Sequence, residues 1–339
     1  MKKPILTLII LIVFTKPTYA QIFSEYISQK DISVIIKIET TNQQYAKKIS
    51  SDIFTIITNE YFKYSYTEDS YISEITKRAY KKFVRIDNEF HNMLSRIIFY
   101  QNRTRAISPI LGYLIDIWGF EKGVLYIPTK EEISNALRIS SPRNLLISSN
   151  SIALRDKRTK FYLKPFALGL AITKAENYLK DNKITNAFIS INNNLSLCIG
   201  DKDGSGWSIG ILNPINRIEN ETLLTINLSN TSIYTASITE NAFIEGFKTY
   251  HSIIDPKTGY PPDNNVSSVS VIHKDPLEAI ILARIILVLG KDAGMKFAEE
   301  RKLTALITTY ERNRTQIYKT SQWIKTFDKD TTKKDKVRN

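Results

Sequence analysis

The sequence predicts an α+β fold with largely antiparallel sheets and packed helices, and three observations carry that expectation. Short β runs meet through tight turns such as Asp203-Gly204, which suits antiparallel pairs rather than βαβ crossovers. Runs with helical apolar spacing are interspersed among them. No repeat period and no break in composition divides the chain after Ala20, so a solenoid is not expected.

Taken in order, Ile32, Val34, Ile36 and Ile38 alternate with Ser33, Lys37 and Glu39, the period of a half-buried strand. Ala46, Ile49, Ile53 and Ile57 recur at helical spacing, and Phe90, Leu94 and Ile97 mark a second helix. Pro128-Thr129 followed by Glu132 reads as a capping box that opens a short helix through Leu137. A helix is expected over 167–179, then strands over 187–191, 207–212, 223–228 and 266–273. A strongly apolar helix over 276–289 and a late strand over 303–309 complete the order.

The chain has 339 residues, a formal net charge of +13 and 42% hydrophobic residues. That is enough apolar material for a sizeable core and too much for a disordered chain. One cysteine, Cys198, excludes a disulfide framework and multi-cysteine metal sites, and its apolar surroundings mark it as an inert core residue. His91, His251 and His273 lie far apart, so a histidine-built zinc site is not expected. The basic balance suits an anionic partner such as a nucleic acid, a lipid headgroup or a phosphorylated small molecule. The basic residues are scattered, and the N-terminus carries an export pattern, so nucleic acid is not expected.

That pattern begins with Lys2 and Lys3, continues through an apolar run over 5–14 and ends at Thr18-Tyr19-Ala20. It reads as a cleavable secretory signal over 1–20, with an uncleaved anchor as the rival. The apolar run is too short for a comfortable membrane span. The residue directly after Ala20 is Gln21 and not cysteine, so the expectation is a soluble periplasmic protein, not a lipoprotein. One domain is expected over 21–327. The end, 328–339, has five bases and three acids and reads as a solvated, poorly ordered tail.

The most informative stretch is Tyr250-His251-Ser252-Ile253-Ile254-Asp255-Pro256-Lys257-Thr258-Gly259-Tyr260-Pro261. Such a turn brings His251, Asp255 and Thr258 together at a loop of backbone N–H groups suited to a phosphate. Its alternative, from the residues alone, is a decorated surface turn with a hydrogen-bonded histidine. This run resembles the H-x-I-D-P-x-T-G-x-P motif of the ApbE family, the FAD:protein FMN transferases. The likeness continues in the strand 266–273 and in Val288-Leu289-Gly290, in Trp118-Gly119-Phe120, and in Trp207, Gly210 and Pro214. It covers residues 30 to 325. It implies duplicated T-fold-type subdomains with FAD held between them. The implied activity is Mg²⁺-dependent transfer of FMN from FAD to a threonine of a target flavoprotein, with release of AMP. By resemblance His251 acts as base or phosphate donor and Asp255 orients the loop or the acceptor hydroxyl. Thr258, Gly259, Gly169, Thr235 and Arg284 are the expected FAD-binding positions.

Four family motifs are eroded. G-G-x-A-K-G-x-x-x-D reads from Lys164 to Thr173, with Leu168 for the lysine and Thr173 for the aspartate; Gly169 persists. The G-G-D/N turn is Asn192-Asn193-Asn194, and T-S-G-D/E is Thr235-Ala236-Ser237-Ile238. In the metal motif D-A-x-x-T the aspartate falls on Ile280 and the threonine on Arg284. Mg²⁺ needs hard oxygen ligands, so the usual metal site is expected to be absent. Either the site is degenerate, leaving an inactive FAD-binding or partner-binding relative, or a fixed cation replaces the ion. A metal-independent FAD pyrophosphatase is a third reading. Arg284 then either meets a pyrophosphate or forms a salt bridge to Glu278 or Asp275.

Overall fold

The alternation that begins at Ile32 builds the strand Ile32–Thr40, which buries Val34, Ile36 and Ile38 on one face. In this computed structural model, which describes residues 20–121, 124–215, 221–246 and 248–328, that strand belongs to an eight-stranded sheet. The order across the sheet is Gln21–Gln29, Ile32–Thr40, Ala187–Ile191, Leu195–Ile199, Thr231–Ser237, Val266–His273, Thr304–Glu311 and Arg314–Lys319. Every neighbouring pair is antiparallel, so the α+β class and the strand polarity are those expected. The signal expected over 1–20 lies, but for Ala20, outside the described residues, as does the tail expected over 328–339 beyond Asp328.

Each sheet face has its own cover. Helices Gln43–Lys63, Lys164–Asp181 and Pro276–Leu289 pack on one another and on one face, where Leu195, Leu197 and Ile199 meet them. The strand period then turns Cys198 to the other face, against the hairpin Trp207–Leu212/Thr222–Leu228 and against Trp323. Burial pushes the Cys198 thiol up to about 12, which keeps it protonated and unreactive.

Pro276–Leu289 is apolar nearly all round because it is enclosed: sheet strands and helix Lys164–Asp181 contact it. Gly169 makes that helix pair possible. A Cβ at this position would stand 2.6 Å from the Cα of Leu277. Smaller elements form a satellite core: helices Gly112–Trp118 and Lys130–Ile139 enclose Leu114, Trp118, Ile133 and Ile254. The capping box at Thr129 forms in full, with the Thr129 N–H donating to Glu132 at 2.8 Å and the Glu132 N–H donating back at 3.2 Å. No helix among the described residues is long and apolar enough to cross a membrane.

Candidate functional site

The motif turn spends its polar groups on itself. Asp255 N–H donates to the Tyr260 carbonyl and Gly259 N–H to the Asp255 carbonyl, both at 2.9 Å. The Asp255 carboxylate accepts from Lys257 N–H at 2.9 Å, and the Thr258 hydroxyl accepts from Tyr260 N–H at 3.2 Å. Gly259 has φ 75, and a Cβ there would stand 2.8 Å from a methyl of Ile133, so no other residue fits without strain. Its carbonyl accepts from Trp118 Nε1 at 3.0 Å, tying Trp118-Gly119-Phe120 to the motif. No hydrogen bond among the described residues joins His251 to Asp255 or Thr258. The histidine follows the strand Lys248–Tyr250, is 1% exposed, and its Nδ1 has no partner.

Burial, with the charge of Arg284 beside it, pushes His251 down to about 3. The imidazole is therefore neutral at pH 7. An unfolded histidine titrates near 6.5, so between these values the unfolded chain binds a proton that the folded chain refuses. Stability from this group is complete above about pH 6.5 and is lost as pH falls toward the folded value. We expect the difference at pH 5 to be about 2 kcal/mol, from one and a half pH units at ~1.4 kcal/mol each. Urea denaturation at pH 7 and pH 5 measures it. His251→Gln should lose less stability on acidification than the parent; equal losses would assign the acid sensitivity elsewhere.

A cleft of about 470 Å³ opens beside the helical layer. The start of helix Lys164–Asp181, the turn at 192–194, the end of strand Trp207–Leu212 and the turn after Ser237 form its walls. Of the expected FAD-binding residues, Thr235 lines it, its hydroxyl sharing a 2.7 Å hydrogen bond with Ser270. Asn192 and Asn193 adopt φ 50 and 55, the left-handed region that asparagine tolerates better than other side chains. Asn192 Oδ1 accepts from Ser33 N–H at 2.7 Å, and the Oδ1 of Asn194 is buried without a partner at the cleft wall. His251, Gly169, Asp255, Thr258 and Gly259 do not line the cleft; His251 is buried, the two glycines serve close packing, and Asp255 and Thr258 serve the turn.

Arg284 is buried behind the cleft, and its partner is neither of the acids expected. Asp275 and Glu278 both hold Arg96, at 2.9 and 3.0 Å. Helix periodicity placed them on the same helix as Arg284, but the helix turns them to a different neighbour. Arg284 instead donates to Glu240 at 2.7 Å and to the Tyr234 hydroxyl at 3.1 Å. Tyr234 donates in turn to Glu240 at 2.8 Å. Burial opposes the Arg284 charge, but Glu240 and the two tyrosines Tyr234 and Tyr162 outweigh it and raise its pKa. Lys164, at the cleft wall, is held by Asp31 and, at 3.0 Å, by Glu121. Burial works against its charge too, and Glu121 and Asp31 again prevail.

This donor set does not fit a divalent ion. Ile280 is fully buried hydrocarbon, and the guanidinium of Arg284 already supplies a positive charge that repels another. No group of three or more histidine, cysteine or carboxylate side chains suited to a metal occurs among the described residues. The residues that sequence reasoning missed are Glu240, Tyr234, Asp31 and Lys164. Glu240 carried a faint signal, being the next acid after the eroded 235–238 motif. Asp31 and Lys164 carried none, because 133 positions separate them.

The ApbE family model matches residues 31–307. An FAD:protein FMN transferase of Buchnera aphidicola (subspecies Schizaphis graminum) is 32% identical over 257 residues, covering 74% of this chain and 75% of the relative. The FAD:protein FMN transferase of Vibrio cholerae serotype O1 is 25% identical over 286 residues, 84% of this chain and 82% of its own. Among solved structures, the ApbE protein of Thermotoga maritima aligns with a TM-score of 0.79 and 25% identity over 91% of this chain and 99% of that one. The flavin transferase ApbE of Vibrio cholerae also gives 0.79, at 23% identity over 91% and 99%.

Proposed function

The chain belongs to the ApbE family, and from that premise we propose that it is an FAD:protein FMN transferase. The observation that carries the reading is the family match across 31–307, joined to a 32% identical relative of that activity. The proposed reaction forms a bond between an acceptor threonine oxygen and the FMN phosphorus. The anhydride bond to AMP breaks, AMP leaves, and the hydroxyl proton passes to a base. FAD is the substrate, and the acceptor is a flavoprotein. We also propose export to the periplasm, on the signal-like order of the first twenty residues.

The cleft supports this reading by its mixed lining. Thr235, Asn193 and Asn194 offer polar groups, and Leu168, Ile211 and Tyr162 offer apolar surface, the usual make-up of a small-molecule site. His251 is the candidate proton acceptor: it is neutral and its Nδ1 has no partner, though it is buried and does not itself line the cleft. At about 3 it is too weak a base in the free protein; a nearby phosphate anion would raise it. A second reading, an inactive FAD-binding relative, is favoured by one observation: Lys164 at the cleft wall and Arg284 behind it are both already paired.

Incubating the purified protein with FAD and a threonine-containing flavoprotein acceptor separates the two. The transferase reading expects AMP and covalent flavin in equal amounts. Bound FAD with neither product would leave the binding relative standing.

A further inference from the structure

Among the described residues, two cations, Lys164 at the cleft wall and Arg284 just behind it, stand against three carboxylates: Lys164 against Asp31 and Glu121, Arg284 against Glu240. This cluster carries one net negative charge. A pyrophosphate brings more of the same sign, so one internal pair must open before the ligand gains a cation. The pairs differ in how they can open. Lys164 has two carboxylates and keeps one if the other leaves. Arg284 has one, and that one faces the ligand: Glu240 lines the cleft with its side chain 16% exposed, while Arg284 behind it is 6% exposed.

The surroundings of the Glu240 carboxylate are those of an anion site. Arg284 Nη1 and the Tyr234 hydroxyl donate to it, at 2.7 and 2.8 Å, and Ser237 N–H donates at 3.3 Å. A guanidinium, a phenol and a backbone N–H are the donors a phosphate oxygen takes. The backbone of Glu240 is pinned, its N–H to the Ser237 carbonyl and its carbonyl to Ser252 N–H, both at 3.1 Å. Side-chain rotation alone therefore empties the site without moving the turn.

Resting on the FAD reading above, we propose that Glu240 is a displaceable counter-ion. A phosphate group of the dinucleotide takes its place on Arg284, Tyr234 and Ser237, and Arg284 anchors that phosphate with no divalent ion. The carboxylate swings toward the solvent and no covalent bond changes. Glu240 thus weakens binding in the unmodified protein, because it competes for the donors that the ligand needs.

The test is titration of the full folded chain with FAD, with inorganic pyrophosphate and with riboflavin, each in EDTA and in Mg²⁺. Thermal melts confirm folding. For the parent, FAD affinity should be the same in both buffers. Glu240→Gln removes the competing charge and should bind FAD and pyrophosphate about three- to ten-fold more tightly, with riboflavin unchanged. Arg284→Gln should weaken FAD binding about ten- to a hundred-fold. If that variant fails to fold, Arg284→Lys, which keeps the charge and loses the fork, should weaken it less. Unchanged or weaker FAD and pyrophosphate binding by Glu240→Gln overturns the proposal, and so does parent binding that requires Mg²⁺; the transferase reading survives both. Pyrophosphate tightening without any FAD binding keeps the counter-ion and removes flavin from the site.

Discussion

Replacing Trp118 by alanine is expected to destabilise the protein by about 3–5 kcal/mol, the range for deleting a fully buried tryptophan. Trp118 is completely buried in the satellite core. Its ring stacks on Phe120 at 5.9 Å and meets Tyr260 edge-on at 5.6 Å, with Tyr250 tilted at 5.5 Å. The alanine variant removes these contacts and leaves a void between the Gly112–Trp118 helix and the motif turn. It also strands the Gly259 carbonyl, which has Trp118 Nε1 as donor. Trp118→Phe separates the two losses. The ring persists while the donor goes, so about 1–3 kcal/mol is expected from the unpaired carbonyl. Urea denaturation of the two variants against the parent measures both numbers. A phenylalanine variant as damaged as the alanine one would show that the hydrogen bond, lost in both, outweighs the ring contacts.

The second large effect is expected at the Arg284–Glu240 pair. Arg284→Met and Glu240→Met should each cost about 3–5 kcal/mol, because each leaves the other charge without its partner in a poorly solvated place. The double variant should cost much less than the sum, since no lone charge remains. Arg284 should show the smaller single loss of the two, because Glu240, 16% exposed, can reach water when abandoned and Arg284 cannot. A denaturation series on the four proteins gives the coupling directly. Strict additivity would mean that the two groups do not act as a unit.

Much of the fold could be read from residue order, and the reasons are local. Pro276 to Leu289 is bounded by a proline at its first helical position and a glycine at its C-cap, and the observed helix stops at those residues. Ala187–Ile191 and Trp207–Leu212 are short apolar runs between turn residues, and both form strands with those bounds. Thr231–Ser237 was not anticipated, because its serines and threonines look like a loop. Hydroxyls across the sheet pair instead: Thr235, half-buried, meets Ser270 of the next strand, and there Ser268 meets Thr308 at 2.6 Å. Hydroxyls that satisfy one another inside a sheet leave no apolar periodicity to detect. The site shows the same limit. The motif turn is contiguous and was visible, whereas the cleft is assembled from segments far apart in the chain, and its charge pairs have no signature in spacing.

The strand order has a consequence for how the molecule reaches its native state. Ile32–Thr40 pairs with Ala187–Ile191, so residues some 150 apart must meet before the sheet can join. The hairpin Gln21–Gln29/Ile32–Thr40 forms from neighbouring residues, but one of its edges has no partner until that distant strand arrives. Pairings of this range make folding slow relative to helical proteins of equal size. During the wait, the strand Ile32–Thr40 offers an unpaired backbone edge and an apolar face of Val34, Ile36 and Ile38, the combination that recruits other chains. Refolding yield should therefore depend on protein concentration, and the early hairpin is where crowding of nascent chains would do its damage.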